Sequence, residues 1–264
     1  MIQKMSDKEY FAHKGISQSF LKAFKRSPAH ALYALKHPKE PTDAMLIGTC
    51  LHALILERKR VFVALPESAK GASNVAKAVK AAFAIEHEGK IILSADDAAR
   101  VESMAESVLN HSGASAILGL GGESELPIFW EENNITMKGK IDRVNPLGVI
   151  DVKTTKDASL AEFAKSVYNF GYHVQAAHYL AGAAANGLPC DDFIIIAVEN
   201  EPPYCTALRK IDHVSIMEGE QERQELIAKY KKCVEKKHWP GYNDEIETVS
   251  IPKWGFKHII NEEF

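Results

Sequence analysis

The chain has no apolar run approaching the ~18 residues that a membrane-spanning helix requires. Its first residues, Met-Ile-Gln-Lys-Met-Ser-Asp-Lys-Glu, also lack the apolar core of a secretory signal. A cytoplasmic location and no membrane partner are the expectations that follow. Cysteine is sparse: Cys50, Cys190, Cys205 and Cys233 lie far apart with no Cys-x-x-Cys pair. That argues against a zinc ribbon and a disulfide framework and leaves four small, mostly buried apolar side chains. There is no Gly-x-x-x-x-Gly-Lys-Ser/Thr loop, so no ATP-driven motor is expected. Positive charge is not in excess either. With a formal net charge of −3, any contact with nucleic acid has to be confined to a local groove. Lys22, Lys25 and Arg26 form one basic cluster; Lys70, Lys77 and Lys80 a second; Lys229, Lys231, Lys232, Lys236 and Lys237 a third. The last two read as solvated helix faces.

What is present is enough for one α/β domain: 264 residues, 46% of them hydrophobic, can bury a sizeable core. Ser17 can cap a helical stripe running to about Lys36, which Pro28 should split into two short helices. Met45–Glu57 reads as a helix with Gly48, Thr49, His52 and Leu56 on one face. A short strand over Arg60–Glu67 follows, then a helix from Ser73 to His87, an extended piece at Lys90–Leu93, and a helix from Ser94 to Asn110 that carries Asp96 and Asp97 in its first turn. Glu125–Trp130 should pair antiparallel with Ile135–Val144, and Pro127 marks it as an edge or a bulge. Ser159–Tyr168 and Tyr172–Asn186 read as helices separated by Asn169-Phe170-Gly171. Asp192–Glu199 suits a strand buried on both faces, with Cys205–Ile211 as its antiparallel neighbour. A long charged helix, His213–Lys237, leads to an irregular tail in which Trp254 and Phe256 are expected to dock.

The chemistry concentrates between Ile135 and Thr155. Apolar and β-branched residues alternate up to Val144, Asn145-Pro146-Leu147-Gly148 supplies a turn, and Val149–Val152 resumes the apolar run. Asp151 and Lys153, two apart on a strand, project from one face while Val152 points to the other. A carboxylate and an ammonium among buried neighbours require pairing or a metal. A structural ion pair at a strand end would account for them. Adding Asp142 from the preceding strand makes an oxygen-rich site suited to Mg²⁺, beside which a lysine can hold or deprotonate a water or offset charge on a phosphoryl oxygen.

Gly139-Lys140-Ile141-Asp142-Arg143 followed by Ile150-Asp151-Val152-Lys153-Thr154-Thr155 resembles motifs II and III of the PD-(D/E)xK nuclease superfamily in its RecB-like branch, nearest to RecE-type exonuclease domains. The resemblance extends over Gly15–Ser19, Ser27-Pro28-Ala29, Gly48–His52, Leu56-Glu57, Glu125–Trp130, Tyr172–Gln175, Trp239-Pro240 and Ser250–Trp254. Ile141 stands where the family name implies a proline.

The resemblance implies a restriction-endonuclease-like core: a single α/β domain with a mixed central sheet flanked by helices. Residues 1–115 would be mainly helical, 116–212 the nuclease core, and 213–264 the C-terminal helix and tail. It implies Mg²⁺, with Mn²⁺ as a substitute, held by Asp142, Asp151, the Val152 carbonyl and His52. A lone histidine on a helix face is otherwise an ordinary core residue, and metal held by it should be lost below about pH 6.5, the unperturbed histidine value. Lys153 would position the attacking water. Gln175 and Tyr179, one helical turn apart, resemble motif IV, though as plain physics they are equally well buried hydrogen-bonding groups. Glu125 would lie near the metal or be a solvated strand-end carboxylate. Ser19, Lys22 and Arg26 would meet phosphate at a strand end.

Some RecB-like relatives hold a four-cysteine iron–sulfur cluster with cysteines bunched near the C-terminus. These four are not bunched, so none is expected. The implied activity is 5′→3′ exonuclease action on double-stranded DNA ends in a bacterial or phage-infected cell, leaving 3′ single strands for recombination. A ring-shaped homo-oligomer, for instance a tetramer, and a RecT-type annealing protein are the implied partners. A structure-specific endonuclease and a non-catalytic DNA-end-binding protein are the alternatives.

Overall fold

The alternation of the Ile135–Thr155 stretch is realised as a hairpin at the centre of a five-stranded mixed sheet in the computed structural model, which describes residues 5–188, 190–252 and 255–256. In chain order the described residues form α1 (Asp7–Ala12), α2 (Gln18–Arg26), α3 (Pro28–Lys36) and α4 (Asp43–Leu56). The parallel pair β1 (Phe62–Ala64) and β2 (Ile91–Leu93) encloses α5 (Asn74–Glu86), and α6 (Ala95–Asn110) and α7 (Ser112–Gly119) follow. The main sheet is built from β3 (Glu123–Glu132), β4 (Ile135–Asn145) and β5 (Gly148–Thr155). After α8 (Leu160–Phe170) and α9 (Tyr172–Ala185) it is completed by β6 (Phe193–Glu199) and β7 (Thr206–Lys210), and α10 (His213–Lys236) closes the order. The strands lie in the order β3-β4-β5-β6-β7; β5 and β6 are parallel and the other neighbours antiparallel.

The local reasons are those the sequence advertises. Ser17 caps α2 and Ser27 caps α3, with Pro28 in the first turn of α3, so the proline divides one stripe into two helices. Pro127 sits on β3, an edge strand, as a residue without an N–H should. The strand expected over Arg60–Glu67 is confined to Phe62–Ala64, because Pro66 supplies no donor and leads into a 3₁₀ turn at Glu67–Ala69. Cys50 and Cys233 are buried and Cys190 half-buried, but Cys205 is exposed: it precedes β7, the opposite edge of the sheet. Phe256 is half-buried, and Trp254 lies outside the described residues. The described helices include none long and apolar enough to cross a membrane.

Two apolar cores sandwich the sheet. On one face Met137, Ile141, Val149, Phe193, Ile195 and Ala197 pack with α2, α8, α9 and α10; on the other Ile150, Val152, Ile196 and Val198 pack with α4, α6 and α7. Alternation along β5 therefore sends Val152 toward α4, while Asp151 and Lys153 face α9. A buried Arg223 on α10 locks the α9–α10 layer to the β3 end of the sheet through paired bonds of 2.8 Å to Glu132, with Glu220 at 2.7 Å on its other side.

The closest approach in that layer is at Gly219 of α10, where a Cβ atom would stand 2.3 Å from the His173 carbonyl oxygen of α9. Gly→Ala in an exposed helix normally gains about 1 kcal/mol, whereas forcing a methyl against backbone typically costs ~1–3 kcal/mol or more. The clash is with a carbonyl that cannot rotate away, so it decides the sign. Gly219→Ala should lower the denaturant midpoint in chemical unfolding; an unchanged or raised midpoint would show that α10 does not pack this closely.

Candidate active site at the sheet fork

The register of the hairpin sets the site. β4 and β5 pair at Asn145↔Gly148, Val144↔Val149 and Arg143↔Ile150, and there the ladder stops. Continued in register, it would place Val152 opposite Ile141. Instead the strands fork: β4 stays with β3 and β5 with β6. The fork leaves the Val152 amide and carbonyl without ladder partners, and buried backbone groups must find others. The amide donates to Asp142 Oδ2 at 2.8 Å, and the carbonyl accepts from His52 Nε2 at 3.1 Å. Two side chains thus replace the missing strand, one from β4 and one from α4.

That arrangement fixes the histidine tautomer. A carbonyl only accepts, so Nε2 carries the proton and Nδ1 of a neutral ring presents its lone pair. Nδ1 lies 3.7 Å from Glu125 Oε1 and 3.7 Å from Asp142 Oδ2. A lone pair and two carboxylates converge on one point, and only a cation between them relieves the repulsion. Glu125 Oε1 is buried with no hydrogen-bond partner. The ligand atoms of His52, Glu125 and Asp142 all lie within 4.8 Å of one another. One nitrogen, two carboxylate oxygens and a histidine whose other N–H is held by a backbone carbonyl fit a divalent metal ion.

Without a metal the proton is the available cation. Burial alone would push the His52 imidazole down, but Asp142 and Glu125 override it and raise the value to about 9. Burial likewise works to raise Glu125, and the nearby positive charges of His52 and Lys140 more than reverse this, holding it below its ordinary value. Lys140 is the second counter-charge, 2.6 Å from Glu125 and 2.7 Å from Asp7 of α1. Glu125 adopts a left-handed backbone conformation, φ 52°, rare for a residue with a side chain.

Asp151 and Lys153 stand on the α9 side of the fork. Asp151 is 1% exposed, accepts from Gln175 Nε2 at 2.8 Å and pairs with Lys153 Nζ at 2.5 Å. Burial pushes the Asp151 carboxyl up to about 6 against the pull of Lys153. Lys153 is held above its ordinary value because Asp151 and Asp142 outweigh its own burial, so the pair is zwitterionic at neutral pH. The Tyr172 ring lies 5.4 Å from the ammonium. Tyr179 is half-buried against Gly139, where a Cβ would meet its ring at 3.2 Å. Burial, with Asp151 and Asp142, lifts its phenol well above the ordinary range.

Of the residues singled out from sequence, the fork unites Asp142, Asp151, Val152, Lys153, His52, Glu125 and Gln175. The three-side-chain cluster takes Glu125 as its third member, while Asp151 is tied to Gln175 and Lys153. Ser19, Lys22 and Arg26 are exposed along α2, one turn after another. Ser19 lines a pocket of about 210 Å³ shared with Lys140 and Tyr179, and a larger cleft of about 810 Å³ opens on His52, Glu125 and Lys140. The roles of Lys140 and Asp7 are not visible in sequence. The one available signal was Ser6-Asp7-Lys8-Glu9, a capping box that starts α1.

A testable consequence concerns protons. A histidine raised to about 9 stabilises the metal-free fold fully below its unfolded value near 6.5, and that contribution disappears as pH rises through about 9. Metal-free protein should therefore lose stability between these values, and His52→Gln should not. At pH 7.5, calorimetry in two buffers of different ionisation enthalpy should show about one proton released on Mn²⁺ binding, absent in His52→Gln. Binding without proton release would remove His52 from the metal site. The carboxylates thus move the pH window above the 6.5 expected of an unperturbed histidine.

Comparison with known proteins agrees with this fold. The structure is similar to that of a candidate exonuclease from Eubacterium rectale, with a TM-score of 0.65 and 13% identity over 98% of this chain and 100% of that one. Identity that low speaks for the fold alone. A phage-related exonuclease from Haemophilus somnus 129PT aligns over 71% of this chain and 94% of that one, with a TM-score of 0.36 and 16% identity. Among curated proteins no sequence matches. A family model described as a PDDEXK-like domain of unknown function, DUF3799, matches residues 17–252, a span that includes every residue of the fork, and the chain belongs to that PD-(D/E)xK family.

Proposed function

We propose that the chain is a divalent-metal-dependent deoxyribonuclease that degrades double-stranded DNA from its ends, 5′→3′ in the manner of RecE-type domains, leaving 3′ single strands for recombination. The observation that carries the reading is the convergence of the His52 lone pair, Glu125 and Asp142 beside a buried Asp151–Lys153 pair. A purely binding module has no use for a costly acidic cluster where phosphate must approach. His52, Glu125 and Asp142 would hold the ion, with Asp151 as a further oxygen donor that the family resemblance assigns; the Val152 carbonyl, which the resemblance also assigns, is taken by the His52 Nε2 proton on the side of the ring away from Nδ1. Mg²⁺ is the natural occupant for the oxygens, and the imidazole favours Mn²⁺ as a substitute. When bound, the ion supplies charge neutralisation at the phosphodiester and activation of a water.

The chain's own residues do the positioning. Lys153, charged and held between Asp151 and the Tyr172 ring, donates hydrogen bonds to the attacking water or a phosphoryl oxygen; it is a donor here, not a base. Gln175 keeps the Asp151 carboxylate in one rotamer through its amide. Ser19, Lys22 and Arg26 lie along α2 where a strand end would arrive. A ring-shaped homo-oligomer that keeps hold of one strand, and a RecT-type annealing protein receiving the product, complete the proposal. Light scattering that finds only monomer during processive digestion would contradict the ring.

Linear duplexes labelled separately at each 5′ and 3′ end, with and without Mg²⁺, test the activity. Loss of 5′ label first, only with metal, is expected. Asp142→Asn, Asp151→Ala and Lys153→Ala should each lower the rate roughly 10²-fold or more with little change in far-ultraviolet dichroism. Near-normal digestion by Lys153→Ala would sink the reading, and cleavage of covalently closed circles would replace it with an endonuclease.

A further inference from the structure

We propose that the α8–α9 elbow is a stacking platform for the bases of an unpaired nucleic-acid strand, feeding directly into the Asp151–Lys153 site. The proposal deepens the nuclease reading above and rests on it for the nature of the ligand. Its grounds are aromatic rings left in water where the fold had no need of them. Tyr168 is 73% exposed and Phe170 49% exposed, on either side of Asn169 and just before Gly171, whose φ of 71° turns the chain from α8 into α9. Large rings are normally drawn into the core, and a cluster of exposed rings beside positive charge marks a contact surface.

The rings are arranged as a track. Tyr168 lies over His173 at 6.0 Å with planes only 9° apart, leaving its other face to solvent. Phe170 is 5.7 Å from Tyr172, and the Tyr172 ring is 5.4 Å from Lys153 Nζ. The track therefore ends at the ammonium that pairs with Asp151. Across a groove of about 270 Å³, α2 contributes Lys22, Lys25 and Arg26. Lys22 Nζ stands 5.4 Å from the Phe170 ring. Glu222, the one carboxylate among the described residues that line the groove, is paired with Lys25 at 2.7 Å, so Lys22 and Arg26 remain for phosphate. No side chain caps the first turn of α9, which adds its amide groups to the positive side.

Exposed rings with lysine and arginine opposite are the elements by which single strands are held: each base offers a π-face and each phosphate a charge. Duplex DNA keeps its bases stacked on one another and cannot use the rings. An acidic peptide would use the cations but has no flat face for Tyr168 and Phe170. The occupant is therefore a strand whose bases are unpaired next to the site of cleavage.

Fluorescence anisotropy in EDTA separates these cases without requiring hydrolysis. The probes are a labelled thymidine strand of about twelve nucleotides and an abasic strand of equal length and charge. The protein should bind the base-bearing strand roughly tenfold more tightly than the abasic one. Tyr168→Ala combined with Phe170→Ala should erase that preference, whereas Tyr168→Trp combined with Phe170→Trp should keep it. Equal affinity for the two strands, an undiminished preference in the alanine variant, or competition by polyglutamate as effective as that by thymidine strand would each overturn the platform. Protein that digests labelled duplexes yet ignores bases overturns the platform alone. Protein that prefers bases yet digests nothing supports the platform and overturns the nuclease reading alone.

Discussion

Every feature of the site follows from one interruption of backbone pairing. Past Arg143 and Ile150 the two strands of the hairpin part, and the Val152 peptide groups are satisfied by Asp142 and His52 rather than by Ile141. An unpaired buried amide or carbonyl costs on the order of 1–3 kcal/mol, so both side chains are held where they are by the stability of the fold as well as by any ligand. Because the fork lies in the middle layer, it is reachable from both sides: His52 comes from α4 on one face, Gln175 and Tyr172 from α9 on the other. The apolar cores hold the two layers, and the polar groups meet only where the sheet opens.

Charge at the fork is balanced before any ligand arrives. Asp142, Asp151 and Glu125 face Lys140, Lys153 and a protonated His52. Exchanging one proton for a divalent ion leaves this group one unit positive, the charge a phosphodiester would neutralise. Lys140 matters in that accounting because it is shared between Glu125 and Asp7. It moderates the acidic cluster without filling the position at which the ligand atoms converge.

The sequence disclosed what is local. Asp142, Asp151 and Lys153 stand in a hairpin whose turn and alternation are explicit, and the proline at 28, the capping serines at 17 and 94 and the Gly171 break place helix ends within a residue or two. It could not disclose the fork, because alternation continues unbroken through Ile141 and Val152 while the pairing does not. The residues alone left Glu125 open between the metal site and a solvated strand end, for a related reason. A glutamate has no preference for φ 52°, and its side chain reaches His52 only because that backbone is imposed from outside. Lys138 gave no sign either. It is buried, donating to the Tyr10 and His13 carbonyls.

That lysine bears on how the chain's early residues relate to the site. Ile16 bridges to Met137 along the free flank of β4, Lys138 grips the end of α1, and α1 delivers Asp7 to Lys140. The segment from Ser6 to Ile16 is thus stitched to the same strand that carries Asp142, by polar bonds across a few ångströms and by Ile16 in the core. Tension applied to it, by a fused domain or a neighbouring subunit, would reach the counter-ion of Glu125 together with the buried contacts of Tyr10 and Ile16. The N-terminal segment is thereby mechanically linked to the acidic cluster through Asp7 and Lys140.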